Sequence, residues 1–141
     1  MKKVLIVDDS SYMRMMVRKV VEKGGLCISF EAASAGKALE IFKNEKPDIV
    51  TLDLNMSEFR MDGMNLLSEM IKMNPEVHVV VVTAIGYEDV KERCMALGAK
   101  GYLIKPFNAK ELLNVLPLND DEFSIDGIVS ESIEKKNTEE V

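Results

Sequence analysis

Short unbroken apolar runs alternate along this chain with longer segments of helical period. Val4-Leu5-Ile6-Val7, Ile49-Val50-Thr51-Leu52, Val79-Val80-Val81-Val82 and Tyr102-Leu103-Ile104 show no three-to-four-residue spacing. Runs of that kind read as strands buried on both faces. The pattern predicts strands from about Lys3 to Asp8, Leu26 to Phe30, along the stretch ending at Asp53, His78 to Thr83 and Gly101 to Ile104. Leu26-Cys27-Ile28-Ser29-Phe30 alternates and suits an edge, whereas His78 to Thr83, the most β-branched run, is expected at the centre of the sheet.

Between the strands the period changes. A helix is predicted from the Asp9-Ser10-Ser11 turn to about Lys23, with Ser10 or Ser11 as N-cap and Gly24-Gly25 closing it. Met13, Met16, Val17, Val20 and Val21 form its inward stripe. Tyr12 and Met15 either widen that stripe or face a partner, and core is the favoured reading. Further helices are expected at Ala35 to Asn44, Met64 to Met73, Tyr87 to Leu97 and Ala109 to Leu116, with Asn108 as the last N-cap and Pro117 as a stop. Five strands alternating with five helices predict an α/β fold, a parallel sheet covered on both faces and joined by right-handed crossovers.

In such a sheet the carboxyl ends of all strands share one edge, where ligand sites form. Here four runs end in chemistry: Asp8-Asp9, Asp53, Thr83 and Lys105. A lone aspartate after a strand is usually the start of a turn; the convergence of three acids, a hydroxyl and an amine is the functional signal. Crowded carboxylates repel, and a proton, a cation or solvent must relieve them. Three carboxylates against one ammonium leave about −2 by counting charges. A hard divalent cation with oxygen ligands matches that remainder; Mg²⁺ takes about six oxygens at ~2.1 Å and often keeps several waters. Asp53 is then placed to attack phosphorus, since carboxylates do form aspartyl phosphates. Lys105 and Thr83 would stabilise the phosphoryl oxygens.

Composition narrows the classes. With 47% hydrophobic and 30% charged residues over 141 positions, the chain suits one domain with one core. Met1-Lys2-Lys3 leads directly into a four-residue apolar run, too short for a signal-peptide core. Nothing approaches the roughly 20 apolar residues of a membrane span. Cys27 and Cys94 form no metal or redox spacing. The expectation is a reduced cytoplasmic protein without membrane contact. Of the net charge of −6, all is carried after Leu116, by 8 acidic and 2 basic residues. A neutral body with an acidic tail offers no nucleic-acid footprint.

Taken together, VDDS at 7–10, LDLNM at 52–56, MDGM at 61–64, VTA at 82–84 and KPF at 105–107 resemble the receiver domain of bacterial two-component response regulators. Each motif alone is weak; five in order, over residues 2 to 116, are specific. The resemblance implies a flavodoxin-like doubly wound sheet of order 2-1-3-4-5, as in chemotaxis receivers. It implies that Asp53 accepts a phosphoryl group from a sensor histidine kinase or a histidine phosphotransfer protein. Mg²⁺ would be held by Asp8, Asp9, Asp53 and the Asn55 carbonyl. Lys105, with a cis peptide before Pro106, Thr83 and Ala84 would stabilise the phosphoryl group, and Thr83 and Tyr102 would be the switch pair. The run Ser11 to Met16 is similar to chemotaxis-type receivers.

The chain departs from the family's usual pattern at Met56-Ser57-Glu58-Phe59-Arg60, which lacks the proline after methionine and is two residues longer before Met61-Asp62-Gly63. The second departure is the short helix before Pro117. Residues 1–117 are read as the receiver and 118–141 as an acidic tail, mobile with a short local turn or helix as the favoured form. A hairpin turning at Asp126-Gly127, a disordered acidic extension or the start of a linker to an output domain are its alternatives. The expected function is a stand-alone response regulator that switches an unknown downstream partner, or a phosphorelay intermediate. A Mg²⁺-dependent phosphohydrolase would want a second acid where Asn55 stands; a flavin carrier would meet repulsion from Asp8-Asp9; a scaffold that is never phosphorylated is the remaining class. His78, without a partner at ligand spacing, is read as structural or surface rather than chemical, and the ten methionines mostly as core filler.

Ile85, two residues past Thr83, and Asn55, two past Asp53, are expected to flank the water that hydrolyses an aspartyl phosphate. Apolar Ile85 orders that water poorly. Ile85→Glu should shorten the phosphoryl lifetime followed by intact mass; an unchanged or longer lifetime would remove the argument.

Overall fold

The computed structural model describes residues 1–25, 27–55, 63–84 and 86–118. Leu26, residues 56–62 with Ser57, Arg60, Met61 and Asp62, Ile85, and residues from 119 onward, where a turn at Asp126-Gly127 was one expectation, lie outside the described residues. The elements alternate: β1 (Lys2–Val7), α1 (Ser11–Glu22), β2 (Cys27–Ala32), α2 (Ala35–Glu45), β3 (Ile49–Asp53), α3 (Gly63–Met73), β4 (His78–Thr83), α4 (Glu88–Leu97), β5 (Gly101–Ile104) and α5 (Ala109–Asn114). All strand pairs are parallel and the sheet order is β2-β1-β3-β4-β5. This is the flavodoxin-like arrangement.

The two faces of the sheet follow from strand alternation. Val4 and Ile6 point to one side, where Val17 and Val21 of α1 and Leu112 and Leu113 of α5 cover them. Leu5 and Val7 point to the other, against Ala38 and Phe42 of α2 and Leu66, Leu67 and Met70 of α3. Every residue of β3 is buried, which explains why its sequence lacks alternation.

Local signals held at most element ends. Ser10 is the α1 N-cap, its hydroxyl accepting from Met13 N. Ser34 caps α2, and Lys46 ends it in a left-handed conformation at φ 50°. Asn108 and Glu111 form a reciprocal capping box on α5.

Several expectations need correction. The middle of the sheet is β3, buried throughout, with β4 beside it and buried from Val79 to Thr83. β2 continues to Ala32, two residues beyond the predicted end, because Val7 of β1 still offers it a partner. α5 stops at Asn114 rather than Leu116, and the last residues close through turn hydrogen bonds. Leu118, assigned to the tail on composition, is 1% exposed and packs with the α1/α5 cluster. Tyr12 and Met15 are outside the core, 65% and 42% exposed. The methionines are mostly not core filler: Met70 alone is fully buried among those described. His78 is structural as expected, its Nε2 lying 3.1 Å from the Val115 carbonyl; burial, with Lys100 and Lys2 nearby, pushes its pKa down against that hydrogen bond. Both cysteines are buried and free.

Gly63 opens α3 where that helix meets the end of β3. A Cβ there would lie 2.6 Å from Leu54 Cα and 3.2 Å from Leu54 O, backbone that cannot swing aside. Gly63→Ala should therefore lose about 1–3 kcal/mol in urea unfolding. Gly36→Ala, with nothing within 4 Å of the added carbon, is the control and should be neutral or slightly stabilising. Equal stability of the two variants would contradict the packing.

Candidate functional site

β1 and β3 are neighbours and run in the same direction, so Asp8 and Asp53 emerge side by side at one edge of the sheet. Asp8, Asp9 and Asp53 each present a carboxylate oxygen, and the three lie within 4.8 Å of one another. Asp8 and Asp53 are buried, at 5% and 3% exposure, while Asp9 is exposed. The pocket thus has two walled acids and one at the rim.

Lys105 follows β5 and reaches across the pocket. Its Nζ donates to Asp8 Oδ2 at 2.9 Å and stands 3.4 Å from Asp53 Oδ2. The Lys105-Pro106 peptide is cis, as the resemblance implied, and Lys105 N donates to Thr83 O at 2.8 Å. Burial works to lower the Lys105 pKa, but its hydrogen bond to Asp8 and the charges of Asp53 and Asp8 outweigh it and raise the pKa. The ammonium stays charged.

Asp53 shows the opposite balance. Burial is the largest influence and raises its pKa above the usual 3.8, Asp8 adds to the rise, and the Asn55 backbone hydrogen bond and Lys105 only partly offset it. Asn55 N donates to Asp53 Oδ1 at 2.9 Å, and Asn55 Nδ2 donates to Thr83 Oγ1 at 3.0 Å. Asp8 Oδ1 in turn accepts from Ser10 N at 2.9 Å.

The remaining predicted residues are placed as follows. Thr83 ends β4, fully buried, two strands from Asp8. Ala84 is the next residue and is exposed. Tyr102 sits within β5, half-buried against the α2–α4 cluster, and burial beside Cys94, Glu88 and Asp89 raises its hydroxyl pKa. The structure therefore brings together Asp8, Asp9, Asp53, Asn55, Thr83 and Lys105, with Tyr102 on the α4 side; Ile85 lies outside the described residues. Sequence reasoning missed Arg14, whose Nη1 donates to the Asp8 main-chain carbonyl at 2.7 Å. A helical arginine five residues past Asp9 carries no local signal; its other partner, Glu31 at 2.9 Å, is on a different strand.

Hard carboxylate oxygens converging within 4.8 Å are the donor set for a hard divalent cation, so the residues fit Mg²⁺. A five-stranded 2-1-3-4-5 sheet with three acids and a bridging lysine at its carboxyl edge defines a receiver. A profile of the response regulator receiver domain matches residues 4–117, and the chain belongs to that family. Receivers of this kind are not classical enzymes.

Among relatives, chemotaxis protein CheY from Thermotoga maritima is 36% identical over 115 residues, 82% of this chain and 94% of that one. Sporulation initiation phosphotransferase F from Bacillus subtilis is 35% identical over 111 residues, 79% of this chain and 87% of that one. A chain in the crystal structure of the CheX-CheY-BeF3-Mg²⁺ complex from Borrelia burgdorferi is 32% identical, with a TM-score of 0.74, covering 81% of this chain and 85% of that chain. Among the described residues no helix is long and apolar enough to cross a membrane.

Because the folded-state pKa of Asp53 is raised, ionising it costs folding free energy. That cost is absent below the usual value of 3.8 and grows as pH rises through the folded-state value. Asp53→Asn should therefore raise the Tm of metal-free protein near neutral pH, with the gain vanishing in acid. Added Mg²⁺ should shrink the gap by stabilising the wild type. A variant less stable than wild type at neutral pH would refute this balance.

Proposed function

We propose that Asp53 accepts a phosphoryl group from the phosphohistidine of a sensor kinase or a phosphotransfer protein, and that this switches binding of a downstream partner. The observation that supports it most is Lys105 spanning Asp8 and Asp53 in the three-acid pocket. Cytoplasmic location follows from such partners.

In the transfer, an oxygen of Asp53 attacks phosphorus and the phosphorus–nitrogen bond of the donor breaks. The electron pair leaves with the imidazole, which takes a proton from solvent. Lys105 is held by Asp8 at 2.9 Å, so its ammonium is already aimed at the place where phosphoryl charge develops. Asp8 and Asp9, with Asp53 and the carbonyl of Asn55, are the groups that would hold Mg²⁺. When bound, that ion draws charge from the phosphoryl oxygens.

Phosphorylation adds three strong acceptors and about −1.5 to −2 of charge. Thr83 presently engages Asn55 through its hydroxyl. A phosphoryl oxygen is a stronger attraction, and Thr83 shifts toward it together with Ala84. The space vacated admits the Tyr102 ring, which remodels the surface beside α4. Only a few kcal/mol between the two packings are required.

The 35% identity to sporulation initiation phosphotransferase F favours, as a second reading, a relay that passes the group on to a histidine. Incubation with acetyl phosphate and Mg²⁺, read by intact mass, tests the shared first step. Wild type should gain one phosphoryl group and Asp53→Asn none. Turnover of acetyl phosphate without an adduct would point to a phosphohydrolase, and no reaction at all to a scaffold.

A further inference from the structure

We propose that Arg14 is a positioning residue of the acid pocket. By holding the Asp8 carbonyl it fixes the peptide plane joining Asp8 to Asp9, and with it the geometry in which the pocket takes a divalent cation. The inference rests on the reading of the pocket as a Mg²⁺ site.

The carbonyl of Asp8 belongs to the same peptide group as the nitrogen of Asp9. Rotating that plane would turn the two acids relative to each other. Among the described residues, four contacts hold Asp8 in place. Its N donates to Ala32 O at 3.1 Å, Oδ1 accepts from Ser10 N at 2.9 Å, and Oδ2 accepts from Lys105 Nζ at 2.9 Å. Arg14 Nη1 supplies the fourth at 2.7 Å, the shortest, and the one aimed at the Asp8–Asp9 peptide itself.

Arg14 is in turn pinned. Its Nε donates to Glu31 Oε1 at 2.9 Å, and the other Glu31 oxygen takes Arg18 Nη1 at 2.9 Å. Arg18 Nε also donates to Ser29 Oγ at 3.1 Å. The edge strand β2 thus anchors a guanidinium that reaches over to the end of β1. Its effect is geometric: Arg14 meets Asp8 at the main-chain carbonyl. A planar fork with donors in fixed directions meets a carboxylate and a carbonyl together, which a lysine ammonium on a flexible stem does poorly.

Calorimetric titration of Mg²⁺ into metal-free protein, with Tm recorded alongside, tests the role. Arg14→Gln should weaken binding on the order of tenfold, the loss typical when a group behind a metal ligand is removed. Arg14→Lys should restore little of it. Glu31→Gln, which leaves Arg14 present but unanchored, should show a smaller loss, and the double variant should bind no worse than Arg14→Gln alone. Arg18→Gln should stay within about twofold of wild type, since it leaves both Arg14 contacts in place. A lowered Tm with wild-type affinity in the Arg14 and Glu31 variants would overturn the proposal and leave Arg14 a plain helix–strand tie. Should Arg14→Gln fail to fold, Glu31→Gln decides alone. Wild type that binds no Mg²⁺ at millimolar concentration would instead overturn the reading of the pocket, and this inference with it.

Discussion

Like charges do not gather unless something holds them, and here three carboxylates converge within 4.8 Å beside one lysine. Burial intensifies the problem at Asp53, because desolvation disfavours its ionised form. Lys105 cannot neutralise the set; it compensates Asp8 most directly and Asp53 at longer range. The residual stress falls on Asp53, whose pKa is pushed up by burial first and by Asp8 next. A pocket kept in that condition would be relieved by added positive charge. The rest of the structure either creates this crowding or contains it.

Containment is a matter of rigid attachment. Asp8 and Asp53 leave adjacent parallel strands whose registers are set by buried apolar side chains on both faces. Thr83 and Lys105 come from the next two strands, tied to each other by Lys105 N to Thr83 O. Short turn contacts then fix the side chains: Ser10 N on Asp8, and Asn55 N on Asp53. The opposite edge has a different task. There His78 meets the Val115 carbonyl and the chain closes through Leu118 onto the core. Sheet ends with equal backbone geometry thus serve chemistry at one edge and stability at the other.

The same rigidity is what the proposed switch would act against. Thr83 is fully buried and engaged by Asn55, while Tyr102 is only half-buried on the α4 side. A group already packed moves only if a stronger partner appears, and a ring packed on one side can move without opening the core. This asymmetry between two residues on neighbouring strands is what a charge added at Asp53 would exploit.

What the amino-acid order decided by itself was local. Apolar runs such as Val79-Val80-Val81-Val82 marked strands, Ser10 and Asn108 marked helix starts, and the acids and lysine at strand ends marked the site. Those features depend on backbone preference and burial within a few residues. Tertiary structure decided the remainder. Val7 extended β2 to Ala32, α5 ended early, and Tyr12 and Met15 stayed on the surface, because each outcome depends on which neighbour covers which face. Arg14 is the clearest case. Its meaning lies in Glu31, seventeen residues on, and in a carbonyl that every residue possesses, so only the folded arrangement of helix and two strands assigns it to the site.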